Sequence, residues 1–283
     1  MELLEVQGIT KQYAKFTLRD ITFSLPAGYI MGYVGRNGAG KTTTLNAITH
    51  LIRPDGGDVT IDGLRFSEDS VAYRDSIGYI GDSSYFPYRM TRRDIRAILQ
   101  DFYPSFDAAA FDALTDQWEL PDKARIQTYS RGMKVKLMFA AALSRKTKLL
   151  ILDEATNGLD PLVRREVLKL LQDYIADGKH SVLFSTHILE DLQDIADYIF
   201  FIERGEKVFC EAKDDILESY LLVKGGREDL TPELEETLIG VEKHDYGFAA
   251  LYPTDSALAL PAALSAEKPT IDQIVVHILE GRE

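Results

Sequence analysis

The segment that most constrains this chain is Gly35-Arg36-Asn37-Gly38-Ala39-Gly40-Lys41-Thr42-Thr43. It fits the pattern G-x-x-x-x-G-K-[ST], directly after the apolar run Tyr29 to Val34 and directly before helix-spaced apolar residues from Lys41 to Leu51. An ordinary glycine turn is the bland alternative, and the strand before and helix after it argue against that reading. Glycines let successive backbone N–H groups turn inward around phosphate oxygens, and the helix N-terminus adds a partial positive charge. Lys41 then neutralises the β- and γ-phosphates of a nucleotide, and the Thr42 hydroxyl is the expected magnesium ligand.

A second half of the same site lies over 100 residues downstream. Lys148 to Glu154 reads as an apolar strand ending in Asp153 and Glu154, which puts both carboxylates at the carboxyl edge of a sheet beside the phosphate loop. Asp153 is expected to hold magnesium, directly or through water. Glu154 is expected to polarise the water attacking the γ-phosphate, because phosphoryl transfer needs positioning and charge neutralisation more than covalent help. Taken alone, an apolar strand ending in acids is as often a solvated turn; the phosphate loop upstream is what tips the balance.

The remaining patterns organise the chain around this pair. Residues 1–34 read as strands, with short strands following at Val59 to Ile61 and Ile77 to Ile80. About 85–144 turns helical, broken by Pro87, Pro104 and Pro121, which predicts a helical lobe inserted between strands. Lys148 to Asp153, Ser181 to Ser185 and Tyr198 to Glu203 then alternate with helical segments, the rhythm of a parallel sheet covered on both faces. Leu221 to Lys224, Phe248 to Tyr252 and Ile274 to Ile278 read as strands or short helices of a small accessory domain. The fold expected is α/β: a P-loop NTPase with a parallel-sheet core, an N-terminal antiparallel β subdomain, an inserted helical lobe and a small C-terminal accessory domain. Residues 1–213 form the nucleotide-binding part and 214–283 the accessory domain.

Charge and cysteine usage narrow the function classes. The formal net charge of -13 would repel a phosphate backbone, so nucleic acid is not an expected partner. Cys210 is the single cysteine, which excludes an internal disulfide and reads as a small strand residue. The acidic start Met1 to Glu5 does not read as a secretory signal, and no apolar run approaches the roughly 20 residues of a membrane span, so the chain itself is expected to be soluble.

From about Leu3 to Glu211 the ordered motifs resemble the ATP-binding subunits of ABC transporters, particularly exporter and antibiotic-resistance types. Tyr129-Ser130-Arg131-Gly132-Met133 stands where that family has its signature, usually Leu-Ser-Gly-Gly-Gln, and Ser130 and Gly132 match. The resemblance implies that Ser130, Arg131, Gly132 and Met133 cap the γ-phosphate of ATP bound by a partner subunit. Asn157 to Pro161 resembles the loop that crosses to that partner, with Asp160 its characteristic acid. Ser185-Thr186-His187 resembles the histidine switch, and Tyr13 matches the aromatic that stacks on adenine, strand packing being its alternative role. By the same resemblance the ligands are ATP and Mg2+, and the partners are an integral membrane permease and a second ATP-binding subunit, identical or homologous. The location implied is cytoplasmic, peripheral on the inner face of the membrane.

Two departures qualify the resemblance. Asp82 stands where many members have a glutamine that touches magnesium and senses the membrane partner; the shorter acid is expected to coordinate through water. Arg131 and Met133 replace the commoner glycine and glutamine. Arg89, Arg92, Arg93 and Arg96 cluster where family members touch the transporter, and read equally as a docking patch or a solvated helix face. Two rival functions use the same cassette: a soluble ATPase acting on nucleic acid or ribosomes, and a regulatory module that holds ATP without hydrolysing it. The acidic balance and the single uninterrupted cassette count against the first, Glu154 and His187 against the second.

Overall fold

The computed structural model describes residues 2–282, which divide into two compact units, 2–188 with 198–210, and 189–197 with 211–282. In chain order the first unit contains β1 (Glu2–Gln12), β2 (Thr17–Pro26), β3 (Ile30–Val34), α1 (Lys41–Ile48), β4 (Gly56–Ile61), β5 (Leu64–Arg65), α2 (Ser70–Asp75) and β6 (Ile77–Gly81). The helical lobe follows as α3 (Arg92–Phe102), α4 (Ala108–Gln117) and α5 (Arg131–Leu143), and then β7 (Leu149–Asp153), α6 (Pro161–Ile175) and β8 (Ser181–Ser185). After α7 (Leu189–Ile195), which packs in the second unit, β9 (Tyr198–Glu203) and β10 (Glu206–Ala212) complete the series.

Two sheets build the first unit. β2-β1-β4-β5 is antiparallel, with alternation in β1 and β2 setting one face inward: Leu4, Val6, Ile21 and Leu25 are buried while Glu5, Thr22 and Ser24 turn to the other side. The second sheet runs β10-β9-β3-β8-β7-β6, and from β9 to β6 its strands are parallel. Every residue of β3, β7 and β8 is buried, as continuous apolar strands covered on both faces should be.

An aromatic stack joins the layers. Phe200 of β9 lies flat on Tyr33 of β3 at 4.6 Å between ring centroids, and Phe23 of β2 leans on the Phe200 ring at 4.8 Å. The buried Tyr33 hydroxyl donates to the Thr44 hydroxyl of α1 at 3.0 Å, tying the helix that follows the phosphate loop to the strand that precedes it.

The arginines of the lobe are engaged within it. Arg92 pairs with Asp116 at 2.7 Å and reaches the Leu120 carbonyl, Arg93 pairs with Asp122, and Arg96 grips Asp112 at 2.9 Å. Among the described residues Arg89 alone of the four has no ion pair, and it is exposed.

The second unit has its own antiparallel sheet. It contains α8 (Lys213–Ser219), β11 (Tyr220–Gly225), α9 (Pro232–Thr237), β12 (Ile239–His244), β13 (Gly247–Pro253), β14 (Ser265–Glu267) and α10 (Ile271–Glu280), with sheet order β12-β13-β11-β14. Ile274 to Ile278 is helical, buried along one face, with Thr270 and Gln273 closing a capping box at its start. The Gln193 side chain of α7 accepts from the Ile271 backbone at 3.0 Å, which anchors that helix start inside the same unit.

Phe200→Ala removes a ring packed on both sides and is expected to cost about 3–5 kcal/mol in urea unfolding. Phe102→Ala, at a side chain 75% exposed, is expected to stay within about 0.5 kcal/mol; similar losses for the two would contradict this account of the core.

Candidate active site

The phosphate loop leaves the end of β3 and enters α1 through Gly40, whose φ of +115° lies in the region that only glycine adopts without strain. A side chain there would also meet the Phe16 ring at 2.9 Å. Lys41 opens the helix with only 5% of its surface exposed; its ammonium donates to the Gly35 carbonyl at 2.7 Å and stands 3.6 Å from Glu154. The Ala39 amide donates to the Arg36 carbonyl, closing the loop upon itself. A cavity of about 490 Å3 opens on this loop, lined by Asn37, Gly38, Thr42 and Thr43 from the loop, by Glu154 opposite, and by Lys15 and Phe16 at its rim.

Asp153 and Glu154, adjacent in sequence, sit in opposite electrostatic settings. Asp153 ends β7 with 7% exposure, and burial raises its pKa; hydrogen bonds from the Thr42 hydroxyl at 3.4 Å and the Tyr79 hydroxyl at 3.2 Å offset this only in part. A buried carboxylate beside two hydroxyls, whose burial the charge of Lys41 does not offset, is short of countercharge. Its hard oxygen donors fit magnesium, with Asp153 and Thr42 as the residues that would hold it.

Glu154 turns off the strand with φ +56°, a left-handed conformation rare for a residue with a side chain and costing on the order of 1–3 kcal/mol. Its amide donates to the Ser185 carbonyl, so the sheet edge holds that conformation. Burial pushes its pKa up, but hydrogen bonds from His187 and Asn157 and the charge of Lys41 outweigh burial and hold the carboxyl below its ordinary range. The His187 Nδ1–H donates to Oε2 at 2.7 Å, and the Asn157 amide donates to the same oxygen.

The other expected site residues fall into place differently. Ser130 caps α5 by accepting from the Met133 amide at 3.2 Å, which leaves Arg131 and Gly132 in the first exposed turn. Asp160 caps α6 by accepting from Leu162 and Val163 at 3.1 Å, with Pro161 at the first helical position. Asp82 reaches neither Thr42 nor Asp153 and pairs with Arg131. Tyr13, 44% exposed, lies off the cavity lining, its ring 6.5 Å from that of Phe16.

Three contributors were not singled out from the sequence: Phe16 at the cavity rim, Tyr79 on Asp153, and the Asn157 amide on Glu154. Tyr79 carried a signal, being the one polar-tipped side chain of β6, three residues before Asp82.

Comparison with known proteins agrees with this geometry. The family model described as ABC transporter matches residues 18–157. The ABC transporter ATP-binding protein YtrB of Bacillus subtilis is 30% identical over 223 residues, covering 78% of this chain and 76% of that protein. The bacitracin transport ATP-binding protein BcrA of Enterococcus faecalis is 31% identical, over 73% of this chain and 68% of its own length. A solved ATP-binding subunit of an ABC transporter superposes with a TM-score of 0.70 at 28% identity, covering 76% of this chain and 92% of that one. With a phosphate loop, a facing pair of carboxylates and a histidine converging at one sheet edge, and with these relatives, the chain belongs to the family of ABC transporter ATP-binding proteins.

Proposed function

We propose that this chain binds ATP with magnesium at the phosphate loop, hydrolyses it at an interface between two ATP-binding subunits, and drives a separate membrane permease of the export type. The observation that carries the reading is the state of Glu154: a carboxylate kept ionised by His187, Asn157 and Lys41, one residue beyond the buried Asp153. An ionised carboxylate facing the phosphate cavity can accept a hydrogen bond from water and aim it, which is what hydrolysis of a phosphoanhydride requires of a protein. His187 fixes the carboxylate oxygen that Asn157 also holds, so the aim does not depend on one contact. Lys41, folded back on the Gly35 carbonyl, exchanges that carbonyl for phosphate oxygens of higher charge. Magnesium, when bound, supplies the charge neutralisation that Asp153 awaits.

Several features support the finer parts of the reading. Ser130, Arg131, Gly132 and Met133 begin α5 at the surface, and Ser130 and Asp160 are exposed, so the signature can close on the ATP of a second subunit, a copy of this chain or a homologue. A groove of about 490 Å3 between α2, the segment 85–87 and α3 leaves Val71, Tyr85 and Phe102 exposed, with Arg89 nearby in sequence. It suits an amphipathic cytoplasmic helix of a permease. No helix among the described residues is long and apolar enough to cross a membrane, and the reading assigns that task to the permease. Relatives named for transport of, or resistance to, bacitracin and linearmycin favour export.

Glu154→Gln is expected to leave ATP binding intact and slow phosphate release by about 10²- to 10⁴-fold; unchanged turnover would falsify the role given to Glu154. Asn157→Ala deletes a contact that lowers the Glu154 pKa. The ionised form, present above that pKa and lost as pH falls through it, then disappears at higher pH, so the acid limb of the kcat profile in saturating Mg2+ moves upward. A limb that stays put or moves down contradicts the hydrogen-bond account. Phe102→Glu is expected to abolish permease-stimulated ATPase while the isolated subunit still hydrolyses ATP, measured with and without co-purified permease; retained stimulation would remove the groove from the interface.

A further inference from the structure

Asp82 and Arg131 are the positions at which the site leaves the family pattern most clearly, and the structure puts their side chains on each other. The Arg131 Nη2 group donates to the Asp82 Oδ1 atom across 49 residues of sequence. The same guanidinium lies over Gly158, where a Cβ would stand 3.6 Å from Nε, 3.7 Å from Cδ and 3.8 Å from Cζ. One arginine therefore ties the first turn of α5, to which it belongs, to the loop after β6, and lies alongside the loop that follows the carboxylates. The neighbour of Gly158 in that last loop is Asn157, whose amide holds Glu154.

We infer that Arg131 is a positioning residue for ATP hydrolysis and that Asp82 is its holder rather than a magnesium ligand. This rests on the ATPase reading above. Held by Asp82, the arginine lies alongside Gly158 and so bounds the path of the chain through Asn157 to the carboxylate that aims water. The two substitutions answer each other. A glutamine at 82 would leave the guanidinium without its counter-charge, and a glycine at 131 would leave Asp82 without the cation it pairs with. Gly158 is the third member: its φ of +63° is a backbone conformation that residues with side chains rarely adopt, and it turns the loop alongside the guanidinium.

A second observation marks this joint. Arg131 Nε, beside Gly158, and Asn157 Oδ1, on the residue before it, are buried without hydrogen-bond partners. Buried polar atoms without partners are uncommon in a finished arrangement. They point to a junction that completes its hydrogen bonds when nucleotide and the second subunit close upon it.

The side chains of Arg131 and Asp82 are 38% and 59% exposed, so solvent screens the pair and its effect is modest, about two- to five-fold in rate. The test is a double-mutant cycle on kcat with the full chain, alongside the Mg2+ concentration for half-maximal rate and the melting temperature. Asp82→Asn and Arg131→Gln are each expected to lower kcat by about two- to five-fold, and the double variant no further than the worse single. The reversed pair Asp82→Arg with Arg131→Asp is expected to regain at least half the loss, with the Mg2+ requirement unchanged throughout. A severalfold higher Mg2+ requirement in Asp82→Asn alone, or losses that multiply in the double variant, overturns the proposal. An active wild type with multiplying losses removes only the pair; a wild type that hydrolyses no ATP removes the ATPase reading and the pair's role with it. Melting temperatures close to wild type separate loss of rate from loss of fold.

Discussion

Parallel strand register is the constraint on which the site depends. Gly81 of β6 stands opposite Asp153 of β7, and Asp153 opposite Ser185 of β8, so the three strands end together at one edge. Each loop that leaves this edge carries a candidate site residue: Asp82 after β6, Glu154 after β7, His187 after β8. β3, hydrogen-bonded to β8, delivers the phosphate loop to the same place. A shift of one residue in any pairing would carry the loop at that strand's end out of line with its neighbours and move its side chain away from the phosphate loop.

Within that edge, chemistry is set by unequal surroundings of two adjacent carboxyls. Asp153 is buried, its two hydroxyl donors and the charge of Lys41 do not offset that burial, and its pKa rises, whereas Glu154 gathers an imidazole, an amide and an ammonium and its pKa falls. The first therefore gains from a divalent cation, and the second remains ready to accept a hydrogen bond from water without one. The left-handed backbone at Glu154 is what turns two successive side chains to these different neighbourhoods.

The arginine cluster of the lobe and the caps of its helices illustrate how one residue serves fold before function. Arg92, Arg93 and Arg96 are held by Asp116, Asp122 and Asp112, carboxylates of the same lobe, so of this group only Arg89 offers free charge to a partner. Asp160 and Ser130 satisfy backbone donors of α6 and α5 in the isolated chain. Their exposure leaves the outer side of each available for an interface, since a capping oxygen can accept more than one hydrogen bond.

Much of this was legible in the chain because local order writes it there. The loop Gly35 to Thr43, the strand ending in Asp153 and Glu154, and the βαβ rhythm around them are short-range patterns, and they specify the α/β core and its nucleotide chemistry without further help. Contacts between segments far apart in sequence left no such trace. That Asp82 finds Arg131, that Tyr79 reaches Asp153, that Phe16 and not Tyr13 edges the cavity, and that Asn157 steadies Glu154 follow from how sheet and lobe bring loops together. Periodicity reports which face of an element is buried; only tertiary packing decides which side chains meet across the gap, because those meetings depend on distances that no single segment contains.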